Sequence, residues 1–115
     1  MDADAQLPPT LQAADVVIAC GDMDLDTTGS FADTLLVAVQ THPVVILDTG
    51  GVTFADSTFL NLLLRAHAAT DLRVAATPHQ LQRLLEMTGA DTVLNLYRTV
   101  EEAARSPYVP PRAAG

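Results

Sequence analysis

Tryptophan and lysine are both absent from this 115-residue chain, and aromatic residues make up only 4% of it. A core must therefore be built from Leu, Val, Ile and Ala. The single cysteine, Cys20, excludes an internal disulfide. Its place in an apolar run reads as a buried thiol in a reducing cytoplasm, with a reactive thiol as the alternative. Positive charge is scarce. Six basic residues, all arginine and scattered along the chain, face 14 acidic ones, for a net charge of -8. That balance argues against a nucleic-acid binder that neutralises phosphates and against docking on an anionic membrane. The longest greasy stretch, Phe59 to Ala69, is interrupted by Asn61 and Arg65. It falls short of the roughly 20 residues needed to span a bilayer. The acidic start lacks the basic region and apolar run of a secretory leader, so a soluble cytoplasmic protein is expected. With hydrophobic residues at 49% and charged residues at 17%, the chain can bury a core, and its length suits one domain.

Prolines mark the two ends: Pro8-Pro9 close an acidic stretch, and Pro107, Pro110 and Pro111 punctuate the last ten residues. Flexible tails are expected over 1–9 and 106–115, flanking a domain over 10–105. Between them the pattern alternates. Val16 to Cys20 reads as a buried strand ending at Gly21, with a weaker strand signal near Thr10 to Ala13. Asp26 or Thr27 can cap a helix over about 28–40, with Phe31, Leu35 and Ala38 at helical spacing, stopped by His42-Pro43. Val44 to Leu47, apolar without alternation, predicts a central strand covered on both faces. Gly50-Gly51 is expected to turn the chain. A largely buried helix over 57–69 follows, with Leu60, Leu63, Leu64 and His67 on its inward stripe. Leu72 to Ala76 predicts a strand, and Pro78 opens a helix with Leu81, Leu84, Leu85 and Thr88 inward, ended by Gly89. A short strand over Thr92 to Leu96 and a helix near Val100 to Arg105 complete the series. Strands alternating with helices across short loops predict an α/β domain with a mostly parallel sheet of four to five strands.

Enzyme signatures are missing: there is no P-loop, no G-x-G-x-x-G and no G-x-S-x-G. His42, His67 and His79 lack metal-ligand spacing, and His67 reads as a histidine satisfied in or near the core. Asp22, Asp24 and Asp26 alternate after the first strand, but without the further ligands of a calcium loop they read as a solvated acidic loop. Neither a metal nor a cofactor is expected. Asp56-Ser57-Thr58 is more informative, because it joins a strand to a greasy helix. Asp56 or Ser57 can cap the first amides, and this is the simpler reading. A hydroxyl there is also a favourable seat for a phosphate, since free N–H groups and the helix dipole stabilise added negative charge.

The stretch VVILDTGGVTFADST, residues 44–58, resembles the STAS domain of anti-sigma factor antagonists. In that family a strand of the form V-V-L-D-L-S leads to x-V-x-F-x-D-S-S-G and a leucine-rich helix. Gly21-Asp22-Met23-Asp24-Leu25 is similar to the family's G-E-L-D segment. Residues 77–89 resemble its S-P-x-V-x-x-x-L-x-x-T-G element, and residues 99–103 its S-x-E-E-A. The match runs in one register over about 11–104. The resemblance implies that Ser57 is the phosphorylated serine, with Thr58 as a secondary hydroxyl, Asp56 its neighbour and Asp24 an acidic residue on the adjacent loop. It implies a partner, an anti-sigma factor with serine-kinase activity, and a PP2C-type phosphatase that removes the phosphate. The unmodified form would sequester the anti-sigma factor and free the sigma factor. The alternative is a non-phosphorylated STAS scaffold in a multi-protein sensory or transporter-associated complex.

Phosphorylation adds about −1.5 to −2 of charge. Beside Asp56 and near Asp24 it would make the surface hostile to a partner while leaving the fold intact. Where the family has glycine, this chain has Phe59. Leu60, Leu63 and Leu64 already supply an inward stripe, so Phe59 is expected partly exposed, as an apolar anchor beside Ser57. The reading is a non-enzymatic protein-binding domain in which Asp24, Asp56, Ser57, Thr58 and Phe59 meet the partner.

Overall fold

The computed structural model describes residues 14–107. Strands and helices alternate along them: β1 (Ala14–Met23), α1 (Thr28–Thr41), β2 (Val44–Ala55), α2 (Ser57–Ala69), β3 (Asp71–Ala75), α3 (His79–Thr88), β4 (Asn95–Tyr97) and α4 (Val100–Arg105). A 3-10 turn at Ala90–Thr92 precedes β4. The strands pair in the order β1-β2-β3-β4, and every pairing is parallel. Each strand is followed by a helix long enough to carry the chain back to the start of the next, as parallel pairing requires. The α/β architecture with a parallel sheet is the one expected. The expected N-terminal tail over 1–9 and the weak strand near Thr10 lie outside the described residues.

Three helices cover one face of the sheet. Leu35 and Val39 of α1, Phe59, Leu60 and Leu63 of α2, and Leu81 and Leu85 of α3 pack against Val17, Val45, Leu47, Leu72 and Val74. α4 takes the other face, setting Ala103 and Ala104 on Val44, Ile46 and Ala75. Val44 to Leu47 are consequently buried at every position, because β2 lies under helices on both sides.

β1 is not the doubly buried strand its β-branched run suggests. Among the described residues it is an edge strand, with Val17 and Ala19 in the core, while Val16 is 41% and Ile18 67% exposed. α4 is only six residues long and packs on β2, β3 and β4, so among the described residues nothing covers Val16 and Ile18 on this face of β1. Cys20 falls on the same alternation and is exposed, which corrects the expectation of a buried thiol.

Gly50-Gly51 does not turn the chain either. β2 runs through both: Gly51 pairs with Cys20 of β1, and Gly50 lies at a register shift in the same ladder. Gly51 is needed for close approach: a Cβ there would lie 2.9 Å from the Cβ of Cys20. Gly21, with φ of 79°, absorbs a register shift in β1 that a side chain would resist.

Smaller corrections follow the same logic. The predicted strand over Thr92 to Leu96 is a 3-10 turn and a three-residue strand displaced toward Tyr97. Thr88 is exposed and bonds back to the Leu84 carbonyl at 2.8 Å instead of facing inward. His67 is half-buried, but its Nδ1 has no hydrogen-bond partner among the described residues.

The largest fully buried side chain is charged. Arg73, on β3, is fully buried and paired with Asp71 at 2.8 Å. Its guanidinium also donates to the carbonyls of Ala103, Ser106 and Pro107 at 2.6, 2.6 and 2.7 Å. One cation thus ties the end of α4, and two residues counted with the C-terminal tail, to the middle of the sheet. Its charge also suits the negative end of the helix dipole. Among the described residues, no helix is long and apolar enough to cross a membrane.

Candidate functional site

At the C-terminal ends of β1 and β2 the ladder closes with Met23 opposite Ala55. The amide of Asp56 then donates to the Met23 carbonyl at 3.2 Å. That bond sets the two following loops side by side, bringing Asp24 and the Asp56-Ser57-Thr58 turn to one end of the sheet.

Asp56 is the N-cap of α2. Its backbone is extended, at φ −124° and ψ −169°, and its side chain accepts from the Thr58 amide at 2.9 Å. The cap satisfies one of the orphan amides at the helix start, worth about 1 kcal/mol. Capping therefore falls to Asp56 and leaves Ser57 free. Ser57 is the first residue of the 13-residue helix, is exposed, and has no hydrogen-bond partner among the described residues. Thr58 is half-buried. Of the two hydroxyls, Ser57 is the accessible one.

Asp24 is half-buried and internally engaged. Its Oδ1 accepts from the amides of Asp26 and Thr27 at 3.0 and 3.1 Å, folding the acidic loop into a tight turn before α1. Asp22 accepts from the Thr53 hydroxyl at 2.6 Å. The carboxylates thus face different partners. Among the described residues there is no group of three or more His, Cys, Asp or Glu placed to hold a metal ion.

Phe59 corrects the sequence expectation. It has no exposed surface and lies 6.1 Å from Phe31 of α1, ring centre to ring centre and tilted by 47°, inside the main core. The stripe of α2 is broad enough for Phe59, Leu60, Leu62, Leu63 and Ala66 all to be buried. A ring two positions beyond an exposed serine has rotated about 200° around the helix, onto the opposite side. It is not a surface anchor.

Two residues that the sequence reading did not single out matter here and in the fold. Gln80, on α3, bonds both backbone groups of Ala55, the residue before Asp56, at 3.1 and 3.2 Å. No sequence signal announces it, because the contact joins residues 25 positions apart. Arg73 did leave a signal: it interrupts an apolar strand two residues after Asp71, on the same face. Gln80 also borders a shallow groove of about 290 Å³ with His79, Arg83, Leu84 and Met87.

The fold and the site define a small parallel α/β domain that offers a capped helix start and a free serine at one sheet end. The chain belongs to the STAS family: a family model described as "Mlab, STAS domain" matches residues 9–98. Among solved structures, an anti-sigma factor antagonist from Mycobacterium paratuberculosis is similar, with a TM-score of 0.73 and 24% identity over 82% of this chain and 87% of that one. The anti-sigma factor antagonist SpoIIAA in its unphosphorylated form superposes with a TM-score of 0.64 and 18% identity, over 85% and 90% of the two chains. The STAS domain of a SulP transporter from Vibrio cholerae gives 0.62 and 18%, over 85% and 80%. At these identities the likeness establishes a shared fold. No curated protein matches the chain in sequence.

Proposed function

We propose that this chain is an anti-sigma factor antagonist switched by phosphorylation of Ser57. The observation that carries the reading is the Ser57 hydroxyl, exposed and unbonded among the described residues, at the first position of α2 directly after a capping aspartate. The partner is an anti-sigma factor with serine-kinase activity. The γ-phosphoryl group of its ATP passes to Ser57 Oγ, ADP leaves, and the hydroxyl proton goes to a base on the kinase. A PP2C-type phosphatase reverses the modification by hydrolysis. The phosphate gains from the helix dipole, while Asp56 and the neighbouring acidic loop already make this end of the sheet negative. Binding is thus blocked by charge at the surface, and α2 keeps its place in the core. Phe59 does not obstruct the partner, since its ring is turned inward. A regulatory role in sigma-factor-dependent transcription, within the cytoplasm, follows from that partner.

The test is to recover the chain from growing cells of its source and map its modifications by mass spectrometry, with partner capture in parallel. A phosphate at Ser57, absent in Ser57→Ala, is expected, together with capture of a kinase-type anti-sigma factor by the unmodified form. Absence of phosphate in every growth phase, with Ser57→Asp capturing the same partners as wild type, would overturn the reading.

A second reading is an unmodified STAS scaffold in a sensory or transporter-associated complex. The open apolar face of β1, with Val16, Ile18 and Cys20, favours it. Capture of transporter subunits that is lost on Ile18→Asp and unaffected by Ser57→Asp would select it.

A further inference from the structure

β2 has 12 residues and β3 only five, and their pairing ends at Asp48 opposite Ala75. Past that point β2 continues for seven residues, supported on one side by β1 as far as Ala55. Among the described residues its other side has no strand to receive its backbone groups, which are obligatory hydrogen-bonding groups. At Ala55 a side chain closes the gap. Gln80 of α3 accepts from the Ala55 N–H at 3.1 Å and donates to the Ala55 carbonyl at 3.2 Å. A carboxamide suits this task because it carries a donor and an acceptor side by side. A carboxylate keeps only the acceptor, and an aliphatic chain keeps neither.

The geometry points to Gln80 as the positioning residue of the Ser57 turn. By standing in for the missing strand it holds Ala55, and with it the backbone from which Asp56 caps α2 and Ser57 faces outward. The inference rests on the reading of Ser57 as the switched hydroxyl and extends the site to α3. On the β1 side the Asp56 amide remains bonded to Met23. Loss of Gln80 should therefore loosen the turn about that bond without unfolding the domain.

The experiment compares the full chain with Gln80→Leu and Gln80→Glu. Amide exchange followed by NMR should accelerate about tenfold at Ala55 and Thr58 in Gln80→Leu, with Val45 and Leu47 unchanged. Gln80→Glu should retain protection at Ala55. Equal exchange at Ala55 in wild type and Gln80→Leu would overturn the proposal. Should Gln80→Leu fail to unfold cooperatively, Gln80→Glu decides, and loss of Ala55 protection in it would count against the clamp. With the anti-sigma factor from the capture experiment, Gln80→Leu should bind about tenfold more weakly. If wild type captures no such partner, the antagonist reading fails and the exchange result still decides the role of Gln80. Wild-type affinity in Gln80→Leu would overturn the positioning role.

Discussion

The chain carries two groups of charged residues in contrasting settings. Asp71 and Arg73 are buried on β3, where one guanidinium serves a carboxylate and three carbonyls. Asp22, Asp24 and Asp56 sit at the C-terminal ends of β1 and β2, where each carboxylate takes an amide or a hydroxyl and no cation pairs with it among the described residues. The first arrangement is closed, since the charges cancel and the surrounding groups are satisfied. The second stays negative and leaves the Ser57 hydroxyl free. A buried charge that loses its partner is costly, whereas a solvated one is not. The first region is therefore built for rigidity, and the second can accept a change of charge.

The contrast can be broken at its strongest point with Arg73→Ala. That change removes the Arg73 partner of buried Asp71 and the donor from three carbonyls. A loss of roughly 3–5 kcal/mol in urea unfolding is expected. The double change Asp71→Asn with Arg73→Met should regain part of it. Phe59→Ala probes the core beneath the second region. It should cost about 3 kcal/mol, the low end for a buried phenylalanine, because the half-buried Phe31 beside it is free to shift. Partner affinity of the molecules that remain folded should be unchanged, as the ring does not reach the surface.

Asp56→Ala removes only the cap of α2. About 1 kcal/mol should be lost, with faster amide exchange confined to the first turn of the helix. The smallest effect on stability should come from Ser57→Asp, within about 0.5 kcal/mol of wild type. The same variant should bind the anti-sigma partner at least tenfold more weakly in titration calorimetry. A stability loss as large as that of Arg73→Ala would show that the two regions do not differ as described.

Much of the fold was legible because hydrophobic periodicity is a local property. Leu60 and Leu63 mark the buried stripe of α2, and the unbroken apolar run at Val44 marks a strand covered twice. Asp56 as a cap could be read the same way, since capping links residues two apart. Phe59 was harder. Its neighbours already offered a stripe, and only the packing of α1 beside α2, with Phe31 against the ring, decided that it also lies inside.

What the sequence determined by itself was the alternation of strands and helices, the capped start of α2 and the placing of a serine directly after the cap, each a matter of residues within one or two helical turns. Tertiary structure alone decided the rest. Among the described residues β1 pairs only with β2, and α4 packs on β2, β3 and β4, so Ile18 and Cys20 face outward. Arg73 is buried because the end of α4 supplies carbonyls to it from 30 to 34 residues away. Gln80 holds the Ser57 turn because β3 stops short of β2. Contacts between residues so far apart in the chain depend on how whole elements stack, and local propensity carries no information about that.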